Sequence, residues 1–486
     1  MPKRSSPMSL ETESRDGIYK MTSIAVTPIS GVLNESDAGS DDKSDSSSTT
    51  STTTASGVAR LLGRSEQAPV SDGAAPDLDL GEDYPEGEIR GWLVVLGCWL
   101  GLFASLGFMQ ILATSQAYLT TTPSIHVGPH ALGGAIFGYA SLSLLLGVYV
   151  GPLFDSYGPR WLILGGTACL VASLLLVSVS TAYWHLFAAL GILSSLGSSL
   201  LFTPSIAAIA HFFQNRRGFA TGVAATAGPA SGVIFPFIVQ SLFVKVGWAW
   251  AMRALALICL AITIAASFLI RSRLPPAKDA TPHPHRQMFR TTGFTPTVVA
   301  VVLAQFASFL PLTYLSSYAL GRGFSQAFSF KVIAILNASS VVGRVLGGWW
   351  ADRIGPFNAN MVFCVIAAFV CFVIWLPAGG TKPGIAIFAV VFGCASGSSV
   401  SLVPVLVGRL CKTQDYGRYY GACYTIASLV SLFAIPVAGR VVRGNGGSYW
   451  GLIVTTGLLY IAAAVAFAVA KMSVLGRRIW VGLGWR

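Results

Sequence analysis

An arginine lies deep within one of the long apolar segments of this chain. Arg344 stands eight residues before Asp352, which places it about 12 Å further along a helix. At that depth in hydrocarbon, an arginine needs a wet cavity or a bonding partner. A guanidinium forms forked bonds with a carboxylate, so Arg344 is a candidate for docking an anionic or carbonyl-bearing small molecule. The alternative is a structural arginine bonded to helix-end carbonyls or to Asp352.

Four further polar side chains share this apolar setting. Asn337 stands seven residues before Arg344 and therefore lies on the same helix face. Gln110 and Gln305 occupy similar depths in the first and seventh apolar segments, and Tyr314 could stack on a ring-bearing substrate. We predict that these five residues bind substrate. Hydrogen bonds between helices and an interfacial anchor are the alternatives for the amides and the tyrosine.

Acidic residues are missing from the interiors of the apolar segments. Beyond residue 90 the sequence holds four of them, all near predicted segment ends or in links: Asp155, Asp279, Asp352 and Asp415. Proton-coupled carriers commonly use an intramembrane carboxylate or histidine as the relay. The sequence therefore gives no indication of a carboxylate relay inside the membrane.

The motifs of common cofactor sites are also missing from the sequence. It contains no phosphate-binding loop, no dinucleotide fingerprint and no nucleophile triad in a soluble domain. All eight cysteines fall in apolar runs, which is typical of small core residues. We therefore expect no enzyme activity, no cofactor and no metal. The expected partners are a small-molecule substrate and the lipid bilayer, with no nucleic acid and a single chain as the functional unit.

The composition places most of the chain in lipid. It is 53% hydrophobic and 11% charged, whereas a soluble protein carries about 25% charged residues. Twelve apolar segments follow residue 90, each with roughly the 20 residues that cross the hydrocarbon as a helix. They lie near 91–113, 132–152, 161–180, 184–210, 217–242, 249–270, 294–319, 328–351, 359–377, 383–409, 417–440 and 449–471.

These segments predict an all-α membrane protein of twelve transmembrane helices in two pseudo-symmetric six-helix halves. The first half spans 91–270 and the second spans 294–471, with a polar linker at 271–293. Residues 1–90 form a tail rich in Ser, Thr, Asp and Pro that cannot bury enough apolar area to order itself, so we expect it to be disordered. A short tail, 472–486, ends the chain.

A short signature occurs twice and supports the two-half organisation. Gly151, Asp155, Gly158 and Pro159 recur 197 residues later as Gly348, Asp352, Gly355 and Pro356, each time between two apolar segments. Such duplication is typical of two-fold membrane transporters. A carboxylate at a helix end can pair with an arginine and face a helix N-terminus across the boundary between halves. We predict a gate formed by Asp155, Arg160, Asp352 and Arg353, the alternative being a simple end cap.

The distribution of basic residues predicts the orientation. With the N-terminus inside, the cytoplasmic loops and C-terminal tail hold sixteen Lys and Arg residues against six on the other side. Residues 1–90 carry 16 of the 20 acidic residues and 8 of the 32 basic ones. We expect both termini in the cytoplasm and the protein in the plasma membrane, with the vacuolar membrane as the second choice.

Several stretches resemble the major facilitator superfamily, and within it the fungal branch of the monocarboxylate-porter family. They are Gly91 to Gly97 opening the first segment, Arg216 to Gly222, Gly232 to Pro236, and Asn337 to Gly347. The resemblance implies alternating access about a central site. Animal members place a Lys and an Asp where this chain has Gln110 and Ser340, which argues against a copied proton–lactate mechanism.

The resemblance and the residues together predict a secondary transporter. We expect export of a small organic or secondary metabolite that is anionic or ring-bearing. Uptake of a monocarboxylate or a riboflavin-like vitamin, facilitated or proton-linked, is the alternative. A non-transporting nutrient sensor is a remote second alternative.

Overall fold

The computed structural model describes residues 86–121, 129–180, 182–273, 286–291 and 293–475. Within these ranges the regular structure is helical and no strand occurs. The expectation of a disordered tail falls almost entirely outside the described residues, as do parts of the linker 271–293 and of the tail 472–486.

Seven α-helical segments form the first part of the bundle. They are α1 (Ile89–Thr121), α2 (Pro129–Tyr157), α3 (Pro159–Val179), α4 (Tyr183–Leu186), α5 (Ser194–Ala207), α6 (Arg217–Ala225) and α7 (Ala227–Leu269). A π-helix, Phe187–Leu193, joins α4 to α5, and a 3₁₀ turn, Ala208–His211, follows α5. We call these the N-terminal helices.

Eight further segments form the C-terminal helices. They are α8 (Phe294–Gly321), α9 (Gln326–Ile354), α10 (Pro356–Val370), α11 (Leu376–Ala378), α12 (Lys382–Val407), α13 (Tyr416–Leu432), α14 (Ala434–Gly444) and α15 (Trp450–Leu475). A π-helix, Cys371–Trp375, joins α10 to α11. Short 3₁₀ turns, Arg286–Arg290 and Thr413–Asp415, precede α8 and α13.

The apolar helices agree with the predicted membrane fold. In the described part of the chain, nine helical stretches are long and apolar enough to cross a membrane. One of them, Arg217–Leu269, is 53 residues long and bends at Gly247, whose φ of 73° only glycine adopts easily, so it holds the predicted fifth and sixth spans. The second span (α2) and the eleventh (α13 with α14) complete the predicted set.

Small and polar residues are buried between the helices together with large apolar ones, and many other large apolar residues face outward. Serines of α5 and α12 are buried, and many hydroxyl groups in the bundle donate to a backbone carbonyl one turn earlier. Leu164, Leu257, Phe369 and Val465 are instead exposed on the outside. Small residues allow helices to approach closely where lipid removes the hydrophobic drive between them. The apolar outer surface fits a bilayer environment.

Glycines set the closest approaches between the N-terminal and C-terminal helices. A methyl group at Gly348 of α9 would overlap the carbonyl oxygen of Gly218 at the start of α6. One turn along, a methyl group at Gly222 would overlap the carbonyl oxygen of Arg344. The two backbones are therefore in direct contact.

A second crossing repeats this geometry. A methyl group at Gly151 of α2 would overlap the carbonyl oxygen of Gly417 at the start of α13, and one at Gly421 would lie 2.6 Å from the carbonyl oxygen of Gly147. We call the two crossings, α6 with α9 and α2 with α13, the seam. The end of the bundle where they lie also holds Asp155 and Asp352, and we call it the Asp face.

Replacing Gly348 with Ala should destabilise the protein by about 1–3 kcal/mol, because the added methyl group must push two helix backbones apart. Thermal melting of purified protein in detergent measures the effect. Gly165→Ala is the matched control, since its methyl group would meet nothing closer than Leu200 Cδ1 at 3.8 Å. Equal melting temperatures for the two variants would contradict the contact.

Candidate functional site

Asp352 caps the first turn of a helix from the other part of the bundle. It lies near the end of α9, and its two carboxylate oxygens accept hydrogen bonds from the backbone N–H groups of Gly218 (2.7 Å) and Phe219 (2.8 Å) in α6. The first N–H groups of a helix have no partner within the helix, and the positive end of the helix dipole favours a carboxylate there. The contact ties a C-terminal helix to an N-terminal one.

Asp155 makes the equivalent contact at the other crossing. It lies near the end of α2 and accepts hydrogen bonds from the backbone N–H groups of Gly417 and Arg418 in α13, both at 2.9 Å. The Arg418 side chain adds an ion pair, with Nε 3.7 Å from Asp155 and 3.6 Å from Asp415. The two copies of the signature therefore each place an aspartate against the start of a helix in the same way.

The basic residues around these carboxylates differ from those of the repeated loop. Arg217 is buried, and its guanidinium lies 4.4 Å from the centre of the Tyr416 ring, across the seam. Burial and then the neighbouring Arg217 lower the pKa of Arg409 to about 10, although Asp352 raises it, so Arg409 stays charged at neutral pH. Arg217, Arg409 and Arg418 thus form the positive side of the Asp face.

The two arginines predicted from the loop lie outside this cluster. Arg160 is exposed and forms no ion pair or hydrogen bond with the part of the chain that the structure describes. Arg353 is also exposed and lies over the ring of Trp349, with its guanidinium carbon 3.7 Å from the ring centre. The structure therefore places the two predicted carboxylates at the two crossings of the seam, and leaves both loop arginines exposed on the surface.

The end of the N-terminal tail also reaches the Asp face. The carboxylate of Glu86 accepts hydrogen bonds from the backbone N–H groups of Gln214 and Asn215, in the turn that precedes α6. Glu86 also lies close enough to Asp352 to interact electrostatically with it. Glu86 therefore meets the rest of the chain next to the crossing of α6 and α9.

Arg344 lies about two turns deeper than Asp352 on α9 and, among the described residues, bonds only to neutral oxygens. Its Nη1 donates to the carbonyl of Ala225 in α6 at 3.2 Å, and its Nε lies 3.4 Å from Ser340 Oγ on its own helix. Nη2 donates to no atom of the described residues, and the side chain is partly exposed. The guanidinium can therefore accept a further partner.

Tyr424 and Gln305 complete the surroundings of Arg344. The Tyr424 hydroxyl lies beside the side chain of Gln305, which is buried, and Tyr424 also interacts electrostatically with Arg344. We call Arg344, Gln305, Tyr424, Ser340 and the Ala225 carbonyl the Arg344 cluster. It combines α6, α8, α9 and α13, at about 12–16 Å from their ends on the Asp face. A cation with amide and phenol groups beside it suits an acidic organic molecule.

Aromatic rings surround this cluster. Phe202 of α5 packs on Tyr424 with 5.3 Å between ring centres, and Tyr420 continues the row toward the Asp face. From α1, Trp99 Nε1 donates to Thr226 Oγ1 at 2.9 Å, next to Ala225, and Trp99 stacks on Phe103. Flat aromatic faces beside a cation allow a ring-bearing anion to be held at both its parts.

The other sequence candidates lie apart from Arg344 or make no contact with it. Asn337 is half-buried and forms no hydrogen bond with the described residues. Gln110 lies against α7, where a methyl group at Gly232 would be 3.5 Å from its Nε2. Tyr314 is nine residues beyond Gln305 on α8, about 13 Å away along the helix, and its hydroxyl lies near Gly439 of α14. Only Gln305 and Arg344 are brought into one cluster.

Three important residues were not indicated by the duplicated loop: Gly417, Arg418 and Tyr424. A signal for the first two exists, because Gly218 and Gly222 recur 199 residues later as Gly417 and Gly421. This interval nearly equals the 197 residues between the two aspartates, so the helix starts repeat together with the carboxylates that cap them. For Tyr424 the sequence indicated a residue that could stack on a ring-bearing substrate, with an interfacial anchor as the alternative.

Comparison with known proteins identifies relatives over most of the chain. A family model described as the Major Facilitator Superfamily matches residues 98–435. The chain is 33% identical to MFS-type transporter 1 of Ophiocordyceps sp. (81% of this chain, 88% of the relative). It is 30% identical to the Aspyridones efflux protein apdF of Emericella nidulans (81% and 80%) and 28% identical to the Riboflavin transporter MCH5 of Saccharomyces cerevisiae (82% and 81%).

A solved structure has the same fold at low sequence identity. The human organic anion transporter MFSD10 (TETRAN) matches with a TM-score of 0.64 and 16% identity, over 78% of this chain and 99% of that one. At this identity the likeness concerns the fold alone.

Proposed function

The chain belongs to the Major Facilitator Superfamily, and we propose that it is a secondary transporter that exports a small organic metabolite with an acidic group and a ring. The observation that carries the proposal is the similarity to fungal relatives named as efflux proteins, which extends over about four fifths of both chains. The fungal monocarboxylate-porter-like branch remains our assignment within the superfamily.

The Arg344 cluster supports the proposed chemistry of the cargo. A guanidinium that meets only neutral oxygens among the described residues provides a positive charge for an anion to neutralise. The Gln305 amide and the Tyr424 phenol offer further hydrogen bonds, and the rings of Phe202 and Trp99 lie next to them. We assign Arg344 and Gln305 to cargo binding, and keep Asn337, Gln110 and Tyr314 as residues that the cargo meets elsewhere on its path.

The Asp155 and Asp352 contacts support a gate on the Asp face. Transport by alternating access requires the two six-helix halves to separate first on one side and then on the other. Both carboxylates bond to a helix of the other half, so these bonds must break when the Asp face opens. Arg160 and Arg353 stay in the proposal as surface charges that shift the strength of the gate.

We assign the Asp face to the cytoplasm, since Lys and Arg concentrate in the loops on that side. The structure is then the state closed to the cytoplasm. In this proposal one chain is the transport unit, both termini are cytoplasmic, and the plasma membrane is the site of action, with the vacuolar membrane as the second choice.

Uptake of a ring-bearing vitamin is the second candidate. The relative named as a riboflavin transporter favours it, at nearly the same identity as the efflux proteins. Monocarboxylate uptake of the animal type is less well supported, because the positions of its charged Lys and Asp are the neutral Gln110 and Ser340 here.

Metabolite profiling of the native host with and without the gene tests the direction. Export predicts that an acidic, ring-bearing product accumulates in cells of the deletion strain and falls in the medium, and that the intact gene restores it. Unchanged products together with riboflavin left unconsumed in the medium would replace export by uptake.

Replacing Arg344 with Ala should reduce transport of the product found by profiling about ten- to a hundredfold, because a hydrogen bond to a charged group contributes about 1.5–3 kcal/mol. Arg344→Lys should recover little, since an ammonium lacks the planar fork. The control is Arg253→Ala, which removes another arginine of the helices, one that lies over Trp250 with Nε 3.3 Å from Ser178 Oγ. Normal export by Arg344→Ala at full surface level would remove Arg344 from the site.

Replacing Asp352 or Asp155 with Asn should open the Asp face more often, since a carboxamide presents one acceptor where the helix end offers two donors. The readout is modification of the native Cys411 by a membrane-impermeant maleimide in inside-out vesicles, followed by peptide mass spectrometry. Burial raises the pKa of the Cys411 thiol, so exposure at the seam should speed the reaction.

Cys169 on α3 is the internal reference in the same digests, because it lies away from the seam. A faster reaction at Cys411 with an unchanged rate at Cys169 supports the gate. Unchanged rates at both cysteines in both variants would favour simple end caps.

A further inference from the structure

Among the N-terminal helices, the one that contacts Arg344 is interrupted near a proline. The segments α6 and α7 meet at Thr226, three residues before Pro229. Proline has no backbone N–H, so it cannot donate to the carbonyl four residues earlier, which is that of Ala225. A carbonyl that loses its helical donor inside a membrane needs another one.

Arg344 supplies that donor. Its Nη1 lies 3.2 Å from the Ala225 oxygen and reaches it from the C-terminal helices. The approach depends on Gly222, one turn before Ala225, where a methyl group would overlap the backbone of Arg344. Pro229 and Gly222 of the N-terminal helices and Arg344 of the C-terminal helices therefore meet at one crossing of the seam.

The repeat shows that this pairing belongs to one crossing alone. With the interval of 197 residues that relates the aspartates, the counterpart of Arg344 is Gly147. With the interval of 199 residues that relates the helix starts, the counterpart of Pro229 is Ser428. Where the arginine is missing the proline is missing too, and a methyl group at Gly147 would instead lie 3.0 Å from Thr425 Oγ1.

We propose that Pro229 is a positioning residue for Arg344. It keeps the Ala225 carbonyl free, this carbonyl holds the guanidinium across the seam while the Asp face is closed, and the acidic group of the cargo replaces it when the halves separate. A neutral carbonyl is a weaker partner than a carboxylate, so an anion can displace it. The inference rests on the proposed function, because it takes Arg344 as the site of cargo binding.

A double-mutant cycle on the purified full-length protein tests the pairing without any substrate. Arg344→Met should lower the melting temperature more in the wild type than in Pro229→Ser, because the new N–H of residue 229 then satisfies the Ala225 carbonyl. Serine is chosen because the repeat carries it at the equivalent position, Ser428. Pro229→Ala serves as a second replacement if the serine variant does not purify as a single species.

Pro236 provides the matched control, as it lies inside the same helix and frees a different carbonyl, that of Gly232. In the Pro236→Ala background Arg344→Met should shift the melting temperature as it does in the wild type. Equal shifts of Arg344→Met in all three backgrounds would overturn the proposal.

Benzoate, a small anion with a carboxylate and a ring, probes the effect on binding. If the carbonyl competes for the guanidinium, Pro229→Ser should lower the apparent Kd for benzoate about two- to tenfold, while Pro236→Ala leaves it unchanged. A general loss of structure would raise this Kd or leave it unchanged, so a fall in both proline variants or in neither counts against positioning.

The two proposals can fail separately. Coupling in the melting cycle together with undiminished benzoate binding by Arg344→Met would keep the role of Pro229 and overturn Arg344 as the cargo site. Loss of benzoate binding in Arg344→Met without any coupling would keep the cargo site and overturn the role of Pro229.

Discussion

The arrangement depends on a carboxylate placed against the start of a helix from the other half of the bundle. Asp352 and Asp155 each satisfy two backbone N–H groups that α6 and α13 cannot satisfy internally. Such contacts require the backbones to meet, which only glycine permits at Gly218 and Gly417. The depth of the Arg344 cluster follows from the same crossings, because Arg344 lies two turns from Asp352 on one rigid helix.

The lipid environment explains why the fold could be predicted from sequence. Backbone groups in hydrocarbon must pair within their own segment, so an apolar run of sufficient length is a helix, and the predicted helical membrane fold is confirmed. The interruptions within the helices were harder to predict from the sequence. The π-helices in the fourth and ninth spans and the change from α13 to α14 depend on local packing, and no period in the sequence marks them.

The site was predicted only in part, because its contacts join residues that are far apart in the sequence. Asp352 bonds to residues about 134 positions earlier and Asp155 to residues about 262 positions later, and nothing local in the sequence announces such partners. A basic residue next to an aspartate suggested Arg353 as a gate component, yet its side chain lies over Trp349. Arg344 and Gln305 were accessible because polar groups in apolar runs are few and must find partners. Tyr424 could be proposed from sequence for ring stacking, but its position beside Gln305 and Arg344 depends on the folded arrangement.

Arg344 also has a consequence for the energetics of transport. An empty carrier holds one fixed positive charge near mid-membrane with neutral oxygens as its described partners, and a guanidinium does not lose its proton. Alternating access moves that charge within the transmembrane field, where a full crossing corresponds to about 2.3 kcal/mol per 100 mV. The proposed anionic cargo would cancel this charge, so that the loaded step would be insensitive to voltage while the empty return step responds to it. In a cell that is negative inside, the membrane potential draws the empty carrier toward the cytoplasm-facing state, in which an exporter loads.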